Sequence, residues 1–232
     1  MENKIVLNSQ ITPGHYIVTA FPTAGLVSLL AANYLIQKKI IKKVGHIQVS
    51  SLSQIAIIED KHLDYPVRLF EGGNSIFITS QVPIPAQNIN ELTKDILELY
   101  EKIKARGIIA IDAIEASEEK EKGETYFISE GFDKEIKNAK ELEDGAMIGI
   151  NASIALTAKD NKIPFLGLMA ETHMSIPDGL AASSLIKALE NVVDIHIDTT
   201  DLVNEYKRVV SKLNSLINKT NQTKSLKEET YG

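Results

Sequence analysis

Short unbroken apolar blocks alternate along this chain with longer stretches in which apolar residues recur at helical spacing, the pattern of an α/β protein. The block at residues 16–21 is stopped by Pro22 and followed by Thr23, Gly25 and a run from Leu26 to Ile36 with few polar positions. This predicts strand, sharp turn and helix, both elements being covered on more than one side. Thr23 is expected to cap the helix through its hydroxyl, and Gly25 to let it lie close to the backbone beneath. A second helix is predicted from Ile89, Leu92, Ile96, Leu99 and Ile103, opened by Asn88 or Asn90 and ended by Gly107. The blocks at 108–111 and 165–169 then read as buried strands, and Asp178 opens a helix carrying Leu180, Leu185, Ile186, Leu189, Val192 and Val193.

The remaining pattern fills in the sheet. Residues 5–7 predict an edge strand, 44–49 a further strand, and 76–79 a buried strand after the turn Gly72-Gly73-Asn74. Residues 55–58 and 67–70 are expected to pair as a hairpin across a polar turn ending at Pro66, with Arg68 facing water or a partner. Residues 81–87, with Pro83 and Pro85, predict an extended loop, and 115–124 a solvated one. A strand is expected at 125–128 and weak helix at 132–142. Near the C-terminus Leu202, Tyr206, Val209, Leu213 and Leu216 alternate at spacings of four and three, flanked by Val203, Val210 and Ile217. They predict a helix that packs on its own domain or on a neighbouring subunit. The expected organisation is a single α/β/α domain over residues 1–218, three-layered around a mixed, mostly parallel sheet, and a flexible tail over 219–232.

Composition narrows the functional classes. A formal charge of −6 on 232 residues does not supply the basic surface of a general nucleic-acid binder. The cluster Lys38, Lys39, Lys42 and Lys43 reads as a solvated helix end. With no cysteine, disulfides, cysteine nucleophiles and thiolate metal sites are excluded. No apolar run has the length of a membrane span and the first residues do not form a leader, so a cytoplasmic location without membrane contact is expected.

Candidate chemistry gathers where strands end. The turn at Thr23 and Gly25 is a packing joint or a small-anion site at a helix N-terminus, and it lacks the lysine and second glycine of a phosphate loop. Residues 147–153 invite comparison with a nucleophile elbow, but Asn151 stands at the nucleophile position and Ser153 where glycine is needed; helix capping is the expected role of both. Glu171, Thr172 and His173 follow a strand, at the end of an α/β sheet where ligands bind. In an enzyme, Glu171 as base, His173 as its partner and Glu59 or Asp112 nearby would be the candidates. The alternative is that these carboxylates hold neighbouring turns. Histidine spacing signals no metal site.

Taken in order, Phe21-Pro22-Thr23-Ala24-Gly25-Leu26-Val27, Pro66-Val67-Arg68, Gly149-Ile150-Asn151-Ala152, the stretch from Ile163 to Thr172 and Pro177-Asp178 resemble the prokaryotic members of the proteasome assembly chaperone family. The resemblance covers residues 16–193. It implies a three-layer α/β/α domain similar to nucleoside phosphorylases and hydrolases, self-association into a homo-oligomer, and binding to α subunits of the 20S proteasome without catalysis or cofactor. It assigns no catalytic role to Glu171 or Asp178. In proteins of this kind a hydrophobic residue, a tyrosine and a final residue dock between adjacent α subunits. Here Thr230, Tyr231 and Gly232 match that pattern, with Thr230 only weakly apolar. The rival class is a phosphorylase or hydrolase acting near Thr23, Glu59 and Glu171.

Overall fold

The computed structural model describes residues 3–52, 54–116, 124–172 and 177–211. In chain order the strands are β1 (Lys4–Leu7), β2 (Tyr16–Ala20), β3 (Lys42–Gln48), β4 (Ile57–Glu59), β5 (His62–Asp64), β6 (Val67–Gly72), β7 (Ser75–Ser80), β8 (Ile108–Glu115), β9 (Thr125–Glu130), β10 (Lys140–Glu141) and β11 (Phe165–Thr172). The helices are α1 (Val27–Gln37), α2 (Ile89–Ile103), α3 (Gly149–Asp160), α4 (Gly179–Glu190) and α5 over 200–211.

Nine strands form one sheet in the order β1-β3-β6-β7-β2-β8-β11-β9-β10. Its centre, β7-β2-β8-β11, is parallel, and antiparallel pairs flank it. The expected strands at 16–21, 108–111 and 165–169 therefore lie side by side or one strand apart in a single sheet. Alternation along β2 divides the core: Val18 and Ala20 pack under α1 and α4, whereas Ile17 faces α2 and α3. In β8, Ile109 and Ile111 point one way, Ile108 and Ala110 the other. Continuous apolar blocks are the consequence, because a strand covered on both faces has no solvent side.

Three expectations change. Residues 57–59 pair with 62–64 rather than with β6, as a separate two-stranded hairpin. Asp60 and Lys61 both take positive φ, the left-handed pair that closes a two-residue turn, although neither is glycine or asparagine. Arg68 is only 3% exposed, because β6 lies inside the main sheet between β3 and β7. Residues 132–139 are not helical: Asn138 adopts positive φ, and Phe132, Ile136 and Ala139 pack on the core from irregular backbone.

The turn between β2 and α1 is tighter than capping alone requires. Thr23 makes no capping hydrogen bond; Gly25 has φ +58 and the following Leu26 φ +51. A Cβ on Gly25 would meet Thr172 Oγ1 at 2.5 Å, so the close approach is to a side chain on β11. Gly131 also has positive φ, +65, but faces open space. Gly25→Ala is expected to lose about 1 kcal/mol from its left-handed backbone, as Gly131→Ala does, and more from the clash. Denaturant unfolding of both variants checks this, and equal losses would remove Thr172 from the account.

Candidate functional site

At the carboxyl ends of β2 and β8 the apolar core gives way to a chain of hydrogen bonds. Asp112, near the end of β8, accepts from the Ala113 amide (2.8 Å) and from Asn151 Nδ2 (3.0 Å). The same Asn151 amide reaches the Ile111 carbonyl (3.3 Å), while Asn151 Oδ1 accepts from the Thr19 hydroxyl (3.1 Å). Thr23 also hydrogen-bonds the Asp112 carboxyl. The hydroxyls of Thr23 and Ser28 lie 3.0 Å apart, and Ser28 donates to the Phe21 carbonyl. Burial pushes the Asp112 carboxyl above the ordinary carboxylate range, against the pull of Asn151, Ala113 and Thr23. The network ties β2, the β2–α1 turn, β8 and α3 together.

One strand over, Glu171 and Thr172 end β11. Thr172 donates to Asp178 Oδ2 (3.1 Å), and Asp178 Oδ1 accepts from the Leu180 and Ala181 amides (3.0 Å each), capping α4 as expected. The Asp178 amide in turn donates to the Gly25 carbonyl (3.0 Å). The Tyr126 hydroxyl stands 2.8 Å from Glu124 Oε2 and 3.3 Å from Glu171 Oε1. Its single proton can serve one carboxylate at a time. The hydrogen bond to Glu124 leads the effects, with burial next, that push the Tyr126 phenol up to about 12.

A second polar centre lies on the other side of the sheet. Arg68 pairs with Glu59 and stands 3.6 Å from Asp64, so the β4–β5 hairpin supplies both counter-charges. Lys43 also pairs with Asp64. Burial raises the affinity of Asp64 for a proton, but Lys43, the Tyr65 amide and Arg68 outweigh it and hold the carboxyl below its usual value. His46 stacks on Tyr65 at 3.8 Å, fixing the hairpin's base. Out at its middle, Ile58 and Leu63 are cross-strand neighbours, 76% and 78% exposed.

The start of α5 is fastened to the body. Tyr34 donates to the Asp198 carbonyl (2.8 Å), Ser183 and Thr199 share a hydroxyl contact at 2.7 Å, and Lys38 pairs with Asp201. Beyond it, Leu30, Tyr34, Pro177, Leu202, Tyr206 and Val209 line an apolar groove of about 290 Å³ between α1 and α5.

A model of the PAC2 family matches residues 17–217. The chain belongs to the PAC2 family. An uncharacterized protein of Methanocaldococcus jannaschii is 26% identical to it over 205 residues, covering 86% of this chain and 84% of that one. Pyrococcus furiosus PbaA, described as an archaeal homolog of proteasome-assembly chaperone, superposes with a TM-score of 0.85 at 19% identity, over 100% of this chain and 98% of its own. Pyrococcus furiosus PbaB, described as an archaeal proteasome activator, reaches 0.79 at 18% identity, over 93% and 98%. The family and the α/β fold are those expected from the sequence.

In this PAC2 chain the residues singled out from sequence separate into three places. Thr23 and Asp112 meet directly, with Asn151 joining them from the first turn of α3 instead of capping it. Ser153, likewise not a cap, accepts from Thr93 on α2 (3.0 Å). Glu171 lies on the adjacent strand, two residues past Met169, the register partner of Asp112. Glu59 belongs to the Arg68 centre, on the far side of β2. His173, Thr230, Tyr231 and Gly232 lie outside the described residues. Sequence reading missed Thr19 and Ser28, whose signal is a lone hydroxyl inside an apolar strand and an apolar helix. Among the described residues no three His, Cys, Asp or Glu side chains are grouped to hold a metal ion, and no helix is long and apolar enough to cross a membrane.

Asp112 gives this centre a pH signature. Because its carboxyl is raised in the folded state, the native protein binds the proton more tightly than the unfolded chain. Its contribution is full below the unfolded value near 4 and is lost as pH rises through the raised one. Asp112→Asn is expected to abolish that falling limb, while costing about 1–3 kcal/mol at low pH because an amide nitrogen cannot accept the hydrogen bond that one of the two carboxyl oxygens takes from Ala113 or Asn151. Denaturant titrations of both proteins from acid to neutral pH check it; an unchanged difference across that range counts against this assignment.

Proposed function

We propose that this chain is a non-catalytic, cytoplasmic proteasome assembly chaperone or activator that binds α subunits of the 20S proteasome as a homo-oligomer. The observation that supports it most is the match to PbaA along nearly the whole of both chains, within a family already shown by its own model. PbaB, described as a proteasome activator, shares the fold and keeps both roles in view.

The centre at the strand ends favours a structural over a catalytic role. Asp112 accepts from fixed donors of its own chain, and Asn151, at the position a nucleophile would take, is consumed by Thr19, Ile111 and Asp112. A base so engaged is not poised toward a substrate. The rival phosphorylase or hydrolase reading needs turnover of an ester or nucleoside that disappears on Glu171→Gln.

Contact with the proteasome runs through Thr230, Tyr231 and Gly232 in this reading, with residues 219–229 as the tether. A flexible segment of that length spans roughly 20 Å, enough to leave the body and enter a nearby pocket. Tyrosine anchors contribute about 2 kcal/mol or more, and several tails on one oligomer raise the apparent affinity if their spacing fits the ring. Tyr231→Ala, or deletion of Thr230 to Gly232, is expected to weaken binding to assembled 20S particles by about thirtyfold or more. Oligomer size and melting temperature stay unchanged. Pull-downs with isolated α subunits and with finished particles check this, and unaltered binding by both variants would move the contact to the folded body.

A further inference from the structure

Elements β9, β10, α4 and α5 border a cavity of about 790 Å³ that carries positive charge on a chain whose formal charge is −6. Lys140 from β10, Lys187 from α4 and Lys207 from α5 line it, and Glu124 is the one acid among the lining residues. Both Glu124 oxygens are engaged, Oε1 by Lys140 (2.6 Å) and Oε2 by the Tyr126 hydroxyl (2.8 Å). Lys187 and Lys207 form no ion pair with any described residue. Asp198 lies within electrostatic reach of Lys187, but its carboxylate accepts from the Thr200 amide (2.9 Å) and hydroxyl (2.6 Å). Two ammonium groups thus share the cavity without a paired carboxylate among the described residues.

The walls are built from several elements and held together. Asn138 Nδ2 donates to the Lys187 carbonyl (3.3 Å), tying the segment before β10 to α4. Alternation along β9 turns Thr125 to the same face as Phe127, toward α4. Thr125 is 4% exposed, lines the cavity and has a hydroxyl with no hydrogen-bond partner among the described residues. Ser184 adds a second hydroxyl that no described residue engages, and Leu180 and Val203 supply an apolar floor.

This lining selects a class of ligand. Cations and hydroxyls call for a negatively charged group, and the floor calls for an aliphatic one beside it. No aromatic ring lines the cavity to stack a base, and no arginine is there to grip a phosphate in two places, so a nucleotide is a poor match. A lone small anion leaves the apolar floor uncovered.

We propose that the cavity docks an acidic peptide segment of a partner chain, an aliphatic side chain resting on Leu180 and Val203, carboxylates paired with Lys187 and Lys207, and backbone groups bonded by Thr125 and Ser184. This contact lies on the folded body and is independent of Thr230, Tyr231 and Gly232.

The probe is fluorescein-labelled Glu-Leu-Glu-Leu-Glu, titrated into the full-length protein and read by anisotropy. It is expected to bind although protein and peptide are both acidic, and more weakly as salt rises. Lys187→Glu and Lys207→Glu are each expected to weaken binding about tenfold, and Thr125→Val about threefold. Lys61→Glu, in the β4–β5 turn, leaves it unchanged. Serine in place of both leucines in the probe costs about tenfold. Circular dichroism checks that each variant is folded. No binding at millimolar probe overturns the site, and an equal loss in Lys61→Glu overturns it in favour of general charge attraction. Inorganic phosphate that displaces the probe as well as unlabelled peptide does overturns the peptide in favour of a small anion. Binding that appears only after Glu118, Glu119 and Glu121 are changed to Gln makes the chain's own acidic run the occupant, and self-association lost in Lys187→Glu makes it a second copy; either overturns the partner chain.

Discussion

Burial of the four central parallel strands on both faces is the constraint on which the rest of this structure depends. Once helices cover β7, β2, β8 and β11 above and below, every polar group among them must find its partner inside the protein, because an unmet buried donor or acceptor costs about 1–3 kcal/mol. Backbone ladders satisfy the main chain. Among the buried polar side chains of these strands, Thr19, Asp112 and Thr172 are hydrogen-bonded to other elements, strand to helix, strand to turn or strand to cap, whereas the Thr79 hydroxyl on β7 has no hydrogen-bond partner among the described residues. The polar cluster at the strand ends is thus first a solution to burial.

That origin bears on what the cluster does. In α/β proteins the carboxyl ends of parallel strands are where ligands bind, and a carboxylate raised by burial at that place invites a catalytic reading. Here the same residues close on one another. Asp112 is raised by desolvation and steadied by three donors, and the β2–α1 turn, which would receive an anion at a helix start, has positive φ at Gly25 and Leu26 and is pressed against Thr172. At these strand ends Asp112, Asn151, Thr172 and Asp178 are partnered by groups of the same chain.

Outside the sheet, exposed apolar groups sit on elements the core holds rigidly. The β4–β5 hairpin is pinned through Glu59 and Asp64 to an arginine that is itself buried, and Ile58 and Leu63 stand out from it. Helix α5 is fastened at its start by Tyr34, Thr199 and Lys38 and displays Val209 further along. Such display suits a protein that works by contact with other chains.

Sequence alone determined the elements whose signal is local. Continuous apolar blocks marked β2, β8 and β11, helical spacing marked α2 and α4, and Asp178 marked its cap, because hydrophobic period and capping chemistry act over a few neighbouring residues. The ordered set of motifs from Phe21 to Asp178 was enough to indicate the family. Tertiary structure decided what depends on distant partners. Arg68 alternates like a surface residue in β6, and only the sheet order and the hairpin's two carboxylates show it buried. Lys61 stands where a two-residue left-handed turn usually has glycine, so Asp60 alone was too weak a signal and the pairing of β4 with β5 was hidden. Thr23, Asp112 and Asn151 stand far apart in sequence, each with a local role to suggest, and become one network only where β2, β8 and α3 converge. Local patterns are set by energies between near neighbours, whereas a buried charge or hydroxyl is placed by whichever remote group can satisfy it, and that is known only once the chain is folded.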